Sequence, residues 1–267
     1  MKIPKIISYC WFGGNPLPES AKKCIASWKE KCPDYEIKEW NETNYDVNKI
    51  PYIRDAYKEK KWAFVSDYAR LDIIYTIGGI YLDTDVELVK SLDELVNNES
   101  FWAIEKSSNV IATGLGFGAQ ARNEHIKKLL QIYNRTSFYT EDGSLNLVPC
   151  TAYATEYFEK QGFVKKDKRQ EIQGAVILSS EVFCPMNFYD GSMNITSETI
   201  GIHWYDMSWF GDSDKKIHMV ENGIKRKLPK NVAKVLCFVY RKGYRLIEYT
   251  QNGTLIENIA RKRKNKT

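Results

Sequence analysis

Residues 62–85 pass from Trp62 to Ile77 without a glycine or proline and stop at Gly78-Gly79. They resume as Ile80-Tyr81-Leu82 before two aspartates, Asp83 and Asp85. Phe64, Ala69, Leu71, Ile74 and Tyr75 are among the apolar positions of the first part, which predicts a helix over 62–77 with a glycine cap. A short buried strand follows. A helix that returns directly into a strand fits an α/β arrangement and excludes an all-β or purely helical chain.

The rest of the chain repeats this alternation. Lys5–Phe12 reads as a first strand, ended by the turn residues Gly13-Gly14-Asn15-Pro16. Glu19–Lys31 reads as a helix with Ala21, Cys24, Ile25 and Trp28 on one face, and Tyr35–Trp40 as a second strand. Further extended stretches are expected at Phe101–Ile104, Ile111–Ala119, Ala175–Leu178 and Val182–Cys184. Helices are expected at His125–Tyr133, Thr151–Phe158 and Val232–Tyr240. The order predicts a mainly parallel sheet flanked by helices. A chain of 267 residues can hold one large domain of this kind. The expected division is a main domain over 1–222 and a basic helical appendage over 223–267.

Charge supports that division. From Lys225 to Thr267 there are 13 Lys and Arg against 2 Asp and Glu, a balance of +11, whereas residues 1–224 carry −6. A nucleic-acid enzyme places its basic groups around the working groove, so nucleic acid is not the expected partner. The six cysteines contain no CxxC pair, the N-terminal residues are too polar for a secretory leader, and no run of 18 apolar residues occurs. These features lead us to expect reduced thiols and a cytoplasmic protein.

Asp83 and Asp85 follow a strand, where residues two apart share a face, and ligands of open α/β sheets bind beyond the carboxyl ends of the strands. Two carboxylates there need a neutralising partner, and hard oxygen ligands suit Mg²⁺ or Mn²⁺. The alternative is a plain turn leading to Leu88. Upstream, Ser66-Asp67-Tyr68-Ala69-Arg70 puts Asp67 and Arg70 at i, i+3 on the helix, either as a solvated ion pair or facing a pocket.

Together the run Pro4–Gly14, the stretch Ser66–Arg70 and Gly78-Gly79-Ile80-Tyr81-Leu82-Asp83-Thr84-Asp85 resemble glycosyltransferase family 32. The likeness is dense over residues 3–90 and thin beyond 120. It implies a GT-A fold, a Rossmann-like relative of the sheet above. The family includes bacterial capsule and lipopolysaccharide sugar transferases, with a nucleotide-sugar site similar to that of the large glucosylating toxins. By this resemblance Trp11 stacks on the base and Ser66 helps to hold it. Asp67 and Arg70 bind the donor sugar, Tyr81 approaches the phosphates or ribose, Asp83 contacts ribose, sugar or metal-bound water, and Asp85 ligates Mn²⁺ or Mg²⁺. In the late segment His203-Trp204-Tyr205-Asp206-Met207-Ser208-Trp209, the resemblance makes His203 a metal ligand. Ser208 and Trp209 close over the diphosphate and help to exclude water.

The implied reaction is retaining transfer of a hexose from a nucleotide sugar, expected to be UDP-linked, to a hydroxyl of a growing surface oligosaccharide. That acceptor can be linked to a lipid carrier. The basic appendage is expected either to be a solvated end or to touch anionic membrane at the inner face of the cell membrane. Two other readings stay open at the level of sequence. A nucleotidyltransferase or phosphatase would also use metal and nucleotide. A carbohydrate-binding protein would use the aromatic residues without needing the acidic pairs.

Overall fold

The computed structural model of the chain describes residues 2–206 and 212–251. It divides into two compact units, one of Met1–Asn187 with Met193–Trp209 and the other of Phe188–Ser192 with Phe210–Thr267. The first unit runs β1 (Ile6–Cys10), α1 (Glu19–Lys31), β2 (Glu36–Trp40), α2 (Pro51–Lys58), α3 (Trp62–Ile77), β3 (Gly79–Tyr81), β4 (Val86–Leu88), β5 (Ser100–Glu105), β6 (Val110–Ile111) and β7 (Phe117–Ala119). It continues with α4 (Glu124–Tyr133), α5 (Cys150–Lys160), β8 (Gln170–Ile172), β9 (Ala175–Leu178), α6 (Ser180–Phe183) and β10 (Gly201–His203).

The main sheet has the order β2-β1-β3-β7-β5-β9-β8, with β6 beside β5. β1 pairs in parallel with β2 and β3, and β5 with β9. β7 runs antiparallel between β3 and β5, and so restores the common direction on its far side. β2, β1, β3, β5 and β9 therefore point one way, which is the largely parallel α/β sheet expected. Their carboxyl ends form one edge.

Both faces of this sheet are covered. Along β5, Phe101 and Ala103 enter one core with Ile25 and Trp28 of α1. Trp102 and Ile104 enter the other with Tyr52, Val65, Leu129 and Phe158 of α2–α5. Alternation with period two puts these neighbours on opposite faces, so Phe101–Ile104 is apolar on both.

The helix-to-strand return at 77–79 is tight. Gly78 has φ +70° and donates its N–H to Ile74 C=O at 2.9 Å, while Gly79 has φ +106°. A Cβ on Gly79 would stand 2.7 Å from the Ile6 carbonyl oxygen. Only glycine meets both demands, and β3 can then lie directly against β1.

Val182 and Phe183, expected with Cys184 as a strand, belong instead to α6, and Cys184 caps its end. Asp167 explains the change: its two carboxylate oxygens accept from the Ser180 N–H and hydroxyl, both at 2.6 Å, and so satisfy the first turn of a helix. Ile111–Ala119 is extended only at its ends, as β6 and β7, with a turn between them.

The second unit contains α7 (Asp212–Lys227) and α8 (Lys230–Gln251). The border expected at 222/223 falls inside α7. All six cysteines are free. No helix among the described residues is long and apolar enough to cross a membrane.

Candidate functional site

The site stands at the carboxyl edge of the parallel strands. Beyond β3, Leu82 N–H still donates to Ser8 C=O of β1 at 3.2 Å, and Asp83 N–H donates to Gly114 C=O at 3.0 Å. The chain then turns, with Val86 N–H reaching back to Asp83 C=O at 3.1 Å. The extended conformation assumed for Asp83 and Asp85 therefore ends at Asp83, and their side chains converge across a tight turn instead of along one strand face.

A short antiparallel ladder delivers the third group. β4 pairs with β10, setting His203 opposite Val86. This puts His203 Nε2 3.2 Å from Asp85 Oδ1. Asp85 Oδ2 accepts the Asp206 N–H at 3.0 Å, and its carbonyl accepts the Trp204 N–H at 2.9 Å. One ligand atom from each of Asp83, Asp85 and His203 lies within 4.8 Å of the others.

Behind them sits an ion cluster. Arg70 Nη2 is 3.2 Å from Asp67 Oδ1 and 3.3 Å from Asp83 Oδ1. Its Nε donates to Ser66 C=O at 3.1 Å, its Nη1 to Thr113 Oγ1 at 3.4 Å, and its guanidinium lies 4.8 Å from the Tyr81 ring centroid. Arg70 and Asp67 are 4% and 7% exposed, so this is a buried pair and not the solvated one considered from sequence. Cys150, in the first turn of α5, stands beside Asp67, and a helix start favours negative charge.

Electrostatics follow from this packing. Burial pushes the Asp83 carboxyl up, against the pull of Arg70, and the neighbouring Asp85 adds to the rise. For Asp85, burial is outweighed by His203 and the Asp206 N–H, which hold it below the usual carboxylate range. Burial likewise works against a charged His203, but Asp85 overcomes it and raises the imidazole. Three carboxylates face one guanidinium and one imidazole, an acidic excess that suits a divalent cation. The donor set of two carboxylates and an imidazole fits Mn²⁺ or Mg²⁺. His203 Nδ1 is buried and has no hydrogen-bond partner among the described residues.

The remaining expected residues are distributed as follows. Trp11 stands at the end of β1 on the same edge. Its indole N–H donates to Asn15 C=O at 2.6 Å, which folds the glycine-rich turn beneath it. Ser66 enters the cluster through its carbonyl. Tyr81 is 1% exposed and donates its hydroxyl to Asp83 Oδ1 at 2.9 Å, so it meets a ligand only through Asp83 and Arg70. Ser208 and Trp209 lie outside the described residues.

Several participants were not anticipated. Thr113 and Gly114 lay inside a stretch read simply as a loosened strand. A Cβ at Gly114 would collide with Asp83 Oδ2 and stand 3.1 Å from Arg70 Nη1, so the absence of a side chain there makes room for the cluster. Glu105, at the end of β5, accepts the Tyr205 hydroxyl at 2.7 Å, and the Tyr205 ring packs edge-on against His203 with centroids 4.2 Å apart. Cys150 carried no signal beyond the preceding Pro149.

Comparison with known proteins bears on this region. A segment of 123 residues is 30% identical to inositol phosphoceramide mannosyltransferase 3 of Schizosaccharomyces pombe, covering 43% of this chain and 33% of that protein. Another of 123 residues is 25% identical to the initiation-specific alpha-1,6-mannosyltransferase of Candida albicans, covering 42% of this chain and 32% of that protein. The chain thus spans about a third of the length of these curated relatives. Among solved structures, the PaToxG glycosyltransferase aligns with TM-score 0.47 and 17% identity over 60% of this chain and 70% of that one. Residues 18–102, which include Asp67, Arg70, Asp83 and Asp85, match the family profile of a glycosyltransferase sugar-binding region containing DXD motif.

Proposed function

We propose that the chain is a retaining glycosyltransferase that moves a hexose from a nucleoside-diphosphate sugar to a hydroxyl. The observation that carries this reading is the convergence of Asp83, Asp85 and His203 within 4.8 Å, inside and beside the segment matching a DXD sugar-binding region. Mn²⁺ or Mg²⁺ held by these three would neutralise charge on the leaving diphosphate. The chain's own groups do the positioning. Arg70 holds Asp83 in place and keeps a fixed positive charge behind the site. Tyr81 donates to the same Asp83 oxygen, and the Asp206 N–H orients Asp85. Trp11 offers a ring face for the base at the end of β1, and Ser66 and Asp67 line the first turns of α3.

In the transfer, the C1–oxygen bond to the diphosphate breaks and a C1–oxygen bond to the acceptor forms on the same face. The acceptor's proton passes to a donor phosphate oxygen. This route needs no protein nucleophile. A covalent glycosyl-enzyme detected by mass spectrometry would overturn it. The acceptor in this reading is a growing surface-polysaccharide oligosaccharide, supported by motif resemblance alone. The six free cysteines suit a reducing compartment such as the cytoplasm.

The test is donor hydrolysis without acceptor. UDP-glucose, UDP-galactose, their N-acetyl forms and GDP-mannose are incubated with wild type and Asp85→Asn, with Mn²⁺ and with EDTA. The GDP sugar is included because two relatives are named mannosyltransferases. Release of one nucleoside diphosphate that depends on metal and on Asp85 is the expected result. Release of pyrophosphate or inorganic phosphate instead would mark a nucleotidyltransferase or phosphatase. Sugar binding without nucleotide or metal would mark a carbohydrate-binding protein.

A further inference from the structure

In the second unit α8 presents an outward stripe of Val232, Val235, Leu236, Val239, Leu246 and Ile247, at spacings of three, four and seven that keep one helical face. Val235, Val239 and Ile247 are 62%, 59% and 59% exposed. The opposite face is the one that packs: Ala233 and Cys237 are buried, and Arg241 forms a forked pair with Glu221 of α7 at 2.8 and 2.7 Å. The stripe is thus additional to the apolar surface that holds the two helices together. It extends for about 22 Å along the helix axis.

The charges beside the stripe are of one sign. Lys242 borders it, and its Nζ rests 5.2 Å from the Phe238 ring centroid. Among residues 230–251 the sole carboxylate is Glu248, which is turned to the packed side, where it accepts from Ser213 and from Arg245 Nη1 at 2.7 Å. The sequence then continues to Arg261-Lys262-Arg263-Lys264. A second copy is a poor occupant for this face. Two such helices would bring lysine against lysine with no carboxylate to answer, and Gly243 interrupts the stripe where a knob is needed.

From this pattern we propose that the outer face of α8 docks on the surface of a lipid bilayer carrying anionic headgroups. The apolar stripe enters the headgroup boundary, and Lys242 at its border stays level with the phosphates. The helix lies along the surface and does not cross it.

The test uses the full chain in vesicle co-sedimentation. Vesicles of phosphatidylcholine with roughly one quarter phosphatidylglycerol are compared with phosphatidylcholine alone, at about 0.1 M and about 0.5 M salt. The expected result is binding to the anionic vesicles only, weakened at the higher salt. Lys242→Gln should weaken it about fivefold. The triple variant Val235→Ser/Val239→Ser/Leu246→Ser should weaken it by about 100-fold or more. Circular dichroism checks that the triple variant keeps its helices; if it does not, the Lys242 variant decides alone. Equal binding to both vesicle types, or no binding to either, overturns the proposal. So does a dimer in sedimentation velocity that the triple variant converts to monomer.

Discussion

Gly114 and Asp83 are built around each other. The Asp83 N–H donates to the Gly114 carbonyl at 3.0 Å, and a Cβ at 114 would occupy the place of Asp83 Oδ2. The shape of the acidic cluster therefore depends on a residue with no side chain.

Gly114→Ala tests this dependence. The new methyl must displace the Asp83 carboxylate, and with it the contact to Arg70. We expect Mn²⁺ affinity, measured by calorimetry, to fall about 10- to 100-fold, the range seen when groups that orient a ligand are disturbed. The circular dichroism spectrum should be unchanged.

Arg70 stands between two carboxylates in a nearly dry environment. Removing it strands Asp67 and Asp83, so Arg70→Ala should lower the unfolding free energy by about 3–5 kcal/mol, read from denaturant titration. A loss below about 1 kcal/mol would mean that water reaches the pair.

Trp28 joins α1 to the strand after the acidic turn. It is fully buried, and its indole N–H donates to Val86 C=O at 2.7 Å. Trp28→Phe keeps most of the packing but leaves that carbonyl unpaired. A destabilisation of about 1–3 kcal/mol is expected from chemical denaturation.

Glu105 gives a pH signature. Burial disfavours its charge, but hydrogen bonds from Ser108, Tyr205 and the Ser107 N–H hold its pKa below the ordinary 4.5. A depressed folded value means that its contribution is present above pH 4.5 and is lost as pH falls through the folded value. Thermal melts of wild type and Glu105→Gln should therefore differ most above pH 4.5 and converge in acid. A constant difference down to pH 3, well below the ordinary carboxylate range, would exclude this role.

The long uninterrupted helices of the first unit were legible in the chain. The bounds of α1 follow from apolar spacing, and those of α3 from a run without glycine or proline that ends at Gly78. α6 was misread because Val182-Phe183-Cys184 looks like a strand until Asp167, thirteen residues before Ser180, supplies the first-turn hydrogen bonds. α2 carried only Pro51 as a start signal and was missed. Within the site, Asp83 and Asp85 could be read because paired carboxylates after a buried strand are costly. Their turn could not be read, nor could the β4–β10 ladder, whose strands are three residues each and too short to show a period. Tyr205 and Glu105 meet only through tertiary packing, which leaves no local trace.

That ladder has a topological consequence. Asp85 and His203 are more than a hundred residues apart in sequence, yet they stand 3.2 Å apart. Any ion they share closes a loop that includes β5, β7, α4, α5 and β9, much as a removable cross-link would. Long closed loops are where such a link restricts the unfolded chain most. Loading the site and latching the middle of the chain would then be one event, so amide exchange in residues 86–200 would report occupancy at a distance from it.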